Sequence, residues 1–209
     1  MITNFWDKFR ETFPVDYPEP PLFHSKLWNY SLRFDLGGGG HSHVIRFEQA
    51  MYRCMNLLQL IFSESTEIYS IIRSNCDKGF TEGHPQGIND LLSMGFILPR
   101  EEEYEIYRKE RLSDEALNTL ECQEVNYTLP VTVKGNNMKL LLWSVLGAEL
   151  GIRPAASISC YFVDFDNRAI FYPYDDRGAD LVSMNKDILK TVYSTYQGWL
   201  LDHGAPSVC

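Results

Sequence analysis

Apolar residues recur along this chain in two rhythms, and each rhythm predicts a different kind of element. Val44, Phe47, Met51, Cys54, Met55, Leu58, Ile61 and Phe62 fall at steps of three and four, which predicts an amphipathic helix of about five turns that Ser42 can cap. Leu32, Phe34 and Leu36 instead alternate with Ser31, Arg33 and Asp35. That period of two predicts a strand over 31–36 with Arg33 and Asp35 on its other face. Val125, Tyr127, Leu129, Val131 and Val133 repeat the alternation over 124–133, where Pro130 argues for an edge or bent strand because it has no N–H for the ladder. Leu140, Leu141, Leu142, Trp143, Val145 and Leu146 make the next helix apolar on most sides. It is expected to start with Asn136 or Asn137 as cap, to be covered by other elements, and to stop at Gly151.

The remaining elements are shorter. Residues 4–13 read as a helix that ends before Pro14, and Pro18, Pro20 and Pro21 enforce an extended stretch after it. Gly37 to Gly40 break the chain before the long helix, and Glu67 to Ile72 read as a strand. Within 87–124 one short helix is expected near Ile88 to Met94 and another near Asp114 to Leu120, where Ser113 can cap. Ser157 to Phe165 and Arg168 to Tyr174 form a hairpin through Asp166 and Asn167. Leu181 and Val182 lie in a short link to a last helix, which Asn185 caps and which carries Ile188, Leu189, Val192, Tyr196, Trp199 and Leu200 on one face. Short strands mixed with amphipathic helices, and no internal repeat or linker, predict an α+β fold over 1–209: one domain, a mainly antiparallel sheet with helices packed against it.

Charge narrows the partners. With 28 acidic and 19 basic residues the net charge is −9, which argues against nucleic acid and for a basic protein. The acids concentrate at Glu101, Glu102, Glu103 and Glu105. They read as a solvated helix with a Glu105–Lys109 pair, or as an acidic face that binds a partner. Five cysteines without a C-x-x-C pair read as reduced thiols, with Cys54 and Cys160 in the core. The absence of a secretory h-region or a bilayer-length apolar run predicts a cytoplasmic protein with no membrane partner.

Candidate chemistry centres on Tyr174-Asp175-Asp176-Arg177-Gly178, where charge follows directly on the apolar run Ala169 to Pro173. Two adjacent carboxylates are hard-oxygen ligands in principle, but neighbouring side chains on an extended backbone diverge. Neither metal nor cofactor is therefore expected, and no catalytic residue is assigned. The plainer reading makes Asp175, Asp176, Arg177 and Gly178 a paired-charge turn. A third reading sets Tyr172 and Tyr174 beside Asp175 and Asp176 as a recognition surface, together with the Glu101 to Glu105 acids. Gly37 to Gly40 lack the Gly-Lys-Ser/Thr ending of a phosphate loop, and His41 and His43 have no third ligand nearby.

Cys160 to Asp164, Ile170 to Leu181 with its YDDRG run, and Ile188 to Asp202 closely resemble a bacterial family known as domain of unknown function 3885, which an internal YDDRG motif marks. Leu32 to Gly38 followed by the amphipathic helix resembles the N-terminal part of longer members. Some relatives look like immunity proteins encoded beside polymorphic toxins. The resemblance therefore implies a non-enzymatic binding module that neutralises a cognate toxin domain, basic and of nuclease type; the alternatives are a metal-dependent enzyme at Asp175 and Asp176, or a structural or regulatory domain.

Overall fold

In a computed structural model, which describes residues 4–20, 22, 30–39, 42–63, 65, 67–77, 83–110 and 122–201, the chain forms a seven-stranded sheet with helices on both faces. Its elements are α1 (Phe5–Thr12), β1 (Tyr30–Asp35), α2 (His43–Ile61), β2 (Ile68–Asp77), α3 (Gln86–Ser93), β3 (Glu105–Glu110), β4 (Cys122–Val131), α4 (Asn136–Gly147), β5 (Ser159–Asp164), β6 (Ala169–Pro173), β7 (Gly178–Ser183) and α5 (Lys186–Tyr196). Strand order is β1-β7-β6-β5-β2-β4-β3, and every pairing is antiparallel. The α+β architecture read from the sequence is the one observed.

Both faces of the sheet are covered, which explains why its central strands read as continuous apolar runs. Leu32, Phe34, Ile72, Tyr127, Phe162, Phe171 and Leu181 point into the larger core beneath α2, α3, α4 and α5. Ile71, Tyr161, Val163, Ile170 and Val182 point the other way, onto Phe5, Trp6, Phe9 and Phe13 of α1 and its C-terminal extension. Successive side chains alternate faces, so β2, β5, β6 and β7 each feed two cores at once.

Helix starts follow side-chain chemistry where it is present. Asn4, Ser42 and Asn185 cap α1, α2 and α5 by accepting from Trp6, Ile45 and Asp187 backbone N–H groups. At α4 the expectation fails, because Gly135 takes the cap position with no side-chain bond. Asn137 is spent elsewhere, clamping Ile97 by donating to its carbonyl at 2.7 Å and accepting from its N–H at 3.0 Å. The residues of α2 that enter the core are Phe47, Ala50, Cys54, Leu57, Leu58 and Ile61, whereas Val44, expected in the buried stripe, stands in solvent.

Four further expectations change. Leu181 and Val182 lie in a strand, β7, all six residues of which are buried between β1 and β6. The β2 strand continues to Asp77 because β4 pairs with it along its whole length. Glu101–Glu103 form one turn of 3-10 helix and Glu105–Glu110 a strand, since pairing with β4 overrides the helix-compatible charge spacing. Pro130 sits in an interior strand, but β3 reaches only as far as Thr128, so Pro130 has a neighbour on one side and no second ladder to interrupt. The helix expected at 114–120 lies outside the described residues. Among those described, Cys54, Cys76 and Cys160 are free thiols, and burial pushes the Cys54 and Cys160 thiols well up.

Candidate functional site

The β6–β7 connection is closed by backbone and side-chain bonds together. Tyr174 N–H donates to the Gly178 carbonyl at 3.2 Å, closing Asp175, Asp176 and Arg177 into the reversal. The Asp175 carboxylate fills the inside of that loop. One oxygen accepts from the Arg177 and Gly178 backbone N–H groups at 2.7 and 3.3 Å, and the other accepts from Arg177 Nε at 2.8 Å and from its Nη2. The bonds to Asp175, followed by the Glu149 carboxylate at 3.2 Å, raise the Arg177 pKa.

Asp176 turns the opposite way. Its side chain, 1% exposed, accepts from Arg46 Nη2 of α2, and its backbone carbonyl lies 2.6 Å from where a Cβ on Gly37 would sit. Gly37 is therefore required by a close approach of two backbones. Around it Leu36 N–H donates to the Arg177 carbonyl at 3.0 Å, and Gln49 Nε2 donates to the Leu36 carbonyl at 3.2 Å. The turn thus fastens the end of β1 and the first turns of α2 to the sheet. Gly178 has its own steric reason, since a Cβ there would overlap the Tyr174 hydroxyl.

Tyr174 continues the network inward. Its hydroxyl accepts from Arg33 Nε at 3.1 Å, and Arg33 lies 3.6 Å from Asp180. The hydrogen bond to Tyr174, then the surrounding carboxylates, raises the Arg33 pKa, while burial raises that of Tyr174. Tyr172 is buried and stacks on Tyr161 with ring centroids 4.4 Å apart. Further along the same face Arg73 lies over the Tyr17 and Tyr161 rings, donates to Tyr17 Oη at 3.0 Å and the Pro18 carbonyl at 2.9 Å, and stands 3.7 Å from Glu124. This is an interior polar belt crossing the sheet, held by hydrogen bonds, ion pairs and cation–π contacts.

The acidic run behaves differently. Glu101, Glu102 and Glu103 are exposed, and Arg100 bridges Glu102 at 3.2 Å and Glu103 at 3.0 Å. Arg100 holds the Glu103 carboxyl below the ordinary carboxylate range. Glu105 instead accepts from the Phe5 N–H at 2.7 Å and ties β3 to α1. The β3 strand is one edge of the sheet; at the other, β1 is flanked by Leu200 and Leu201, the latter donating to the Arg33 carbonyl at 3.0 Å.

The residues proposed from sequence as one recognition surface therefore separate into two groups at distant parts of the sheet. Tyr172, Asp175 and Asp176 lie inside rather than on a surface, because each has been taken up by a neighbour: Tyr161, Arg177 and Arg46. Tyr174 is half-buried. Sequence reading missed Arg33, Arg46 and Gly37, whose distance along the chain from the motif hides their part in it. Their only local signal is a basic residue and a glycine at the two ends of the β1–α2 junction. A separate groove of about 600 Å³, lined by Ile68, Ile97, Pro99, Pro130 and Val131, borders neither group. Among the described residues, no three His, Cys, Asp or Glu side chains gather as a metal would need, and no helix is long and apolar enough to cross a membrane.

Residues 5–204 match the model of the family described as Domain of unknown function (DUF3885), and the chain belongs to that family. No curated protein and no solved structure matches it.

Proposed function

We propose that this family member is a protein-binding module, an immunity protein that neutralises a basic, nuclease-type toxin domain in the cytoplasm. The observation that carries the reading is the disposition of negative charge. The two signature acids are directed inward onto arginines, whereas Glu101, Glu102 and Glu103 stand in solvent on a chain of net charge −9. Spare surface charge of one sign draws in a partner of the other and speeds encounter, which suits a protein that must reach a basic domain before it acts. A metal-dependent centre at the signature would need the Asp175 and Asp176 carboxylates to meet at one ion, and they engage separate arginines on opposite sides of the turn.

The test is coexpression with the protein encoded immediately upstream. The expected outcome is restored growth and a 1:1 complex on gel filtration, with an association rate that falls steeply from 0.05 to 0.5 M salt. Continued toxicity and no complex would sink the reading.

A further inference from the structure

The two edges of the sheet are finished differently. At β1 the chain closes its own edge, with Leu200 bridged to Phe34 and Leu201 donating to the Arg33 carbonyl at 3.0 Å. At β3 no strand among the described residues pairs with the outer side, and Ile106, Tyr107 and Arg108 are exposed, Ile106 at 43% and Tyr107 at 40%. Pro130 fixes which backbone groups this open edge offers. It has no N–H yet keeps its place opposite Tyr69, so the bonds between β2 and β4 run through Leu129 and Val131, and the groups of β4 that face β3 belong to Glu124, Asn126 and Thr128. Their partners in β3 are Lys109, Tyr107 and Glu105, which leaves the N–H and C=O groups of Ile106 and Arg108 directed outward. A row of aromatic rings ends at the same edge. Trp6 stacks on Tyr17 at 5.3 Å, and Tyr107 meets these two rings at 5.2 and 5.9 Å.

We infer that β3 is a self-pairing edge: a second copy of this chain lies antiparallel against it about a two-fold axis through Tyr107, joining two seven-stranded sheets into one. The register follows from the strand itself. Outward groups must meet outward groups, so the axis passes through a residue and not between two. Through Arg108 it would set two guanidinium groups directly opposite, and like charges so placed are unfavourable. Through Ile106 only residues 105–107 of the strand would overlap. Through Tyr107 residues 105–109 overlap, Ile106 and Arg108 of the two copies exchange N–H···O=C bonds, and the sequence sets a glutamate at 105 opposite a lysine at 109 on both sides of the axis. Tyr107 then faces its own copy, and the aromatic row runs on across the axis. The strand is its own complement in hydrogen bonding, in charge and in ring contacts, which identifies the occupant as a second copy. Five paired residues make a small contact, so the dimer is a weak one. The inference does not depend on the toxin-binding reading.

The test measures self-association of the full chain and its variants by sedimentation velocity at about 0.15 M salt. The expected dissociation constant of the unaltered dimer is on the order of 10 µM, at the weak end of specific contacts. Ile106→Pro removes an N–H that the fold leaves unused and the pairing needs, so it should weaken the dimer at least about tenfold. Tyr107→Cys sets two cysteine Cα atoms about 4.5 Å apart across the axis, within disulfide reach, and should cross-link the copies under mild oxidation. Arg108→Cys sets them about 8 Å apart and should cross-link no more than the unaltered chain. Melts at about 1 µM, where the chain is monomeric, verify that each variant folds. The inference is overturned by a chain that stays monomeric at about 200 µM, by a dimer that Ile106→Pro leaves within about threefold, or by Arg108→Cys cross-linking as readily as Tyr107→Cys.

Discussion

Asp175 and Asp176 are 4% and 1% exposed on the β6–β7 turn, each bonded to an arginine, whereas Glu101, Glu102 and Glu103 stand in solvent beside the far edge of the same sheet. Both are short acidic runs next to a strand, and in sequence they invite the same interpretation. Burial separates them. A carboxylate withdrawn from water must be compensated by cations and amides, so its partners become part of the fold. One left in solvent contributes little to stability and remains available to a partner. The β6–β7 turn is therefore an architectural device and the glutamate run a source of surface field, although only the first would draw attention as a motif.

The sharpest way to break this contrast is to remove the cation from the buried acid. Arg46→Met strands Asp176 inside the protein and is expected to cost about 3–5 kcal/mol in urea unfolding. Adding Asp176→Asn to Arg46→Met should recover more than half of that loss, because the uncompensated charge has gone. A loss below about 1 kcal/mol for the single variant would place Asp176 in the same class as the surface glutamates.

A smaller loss is expected at Gly178. A methyl group there collides with the Tyr174 hydroxyl and is expected to destabilise by about 1–3 kcal/mol. Tyr174→Phe introduced into Gly178→Ala removes the nearest atom in the way, leaving the ring carbon at 2.6 Å and the Phe34 carbonyl at 2.9 Å, and should return part of the loss, despite forfeiting the bond from Arg33. If the second change only adds to the first, the glycine is required for some reason other than the hydroxyl lying across it.

These partners show how far the sequence could be read. Alternation in Leu32, Phe34 and Leu36, the caps at Ser42 and Asn185, and the apolar crowding of α4 are local signals, and each led to the right element. Features set by tertiary pairing were not legible. The β7 strand carries Asp180 and Ser183 among its buried residues, which weakens its apolar signal; Arg33 lies 3.6 Å from Asp180, and Ser183 donates to the Asn167 and Arg168 carbonyls. The Glu105–Glu110 stretch has charge spacing suited to a helix, but ten paired residues of β2 and β4 already offered it a ladder. The character of Tyr174 to Gly178 as a turn was visible in Gly178 and in adjacent opposite charges. Its anchoring of α2 was not, since Arg46 lies 130 residues away from Asp176. The exposed stripe of α2 was hidden for a related reason: Val44 fits the three- and four-residue rhythm of the buried stripe, and only the packed helix shows that it faces out.

The smallest expected effect lies on the other side of the comparison. Glu101→Gln, Glu102→Gln and Glu103→Gln combined should leave the thermal midpoint at pH 7 close to that of the unaltered chain, since all three side chains are in water. What should change is the acid limb of the stability curve. Arg100 depresses the folded-state pKa of Glu103 below its ordinary 4.5, so the ionised carboxyl adds stability above that pH and loses it as the pH falls through the folded value. The two proteins should therefore differ slightly at pH 7 and converge as the pH falls through the folded-state value of Glu103, with circular dichroism melts across the acid range as the measurement. The triple variant should also associate more slowly with the upstream-encoded protein at low salt, and at the same rate when salt screens the field. A loss of midpoint as large as that of Arg46→Met would mean that the exposed run holds the fold together as the buried one does. The division between architecture and recognition would then have to be drawn elsewhere on the molecule.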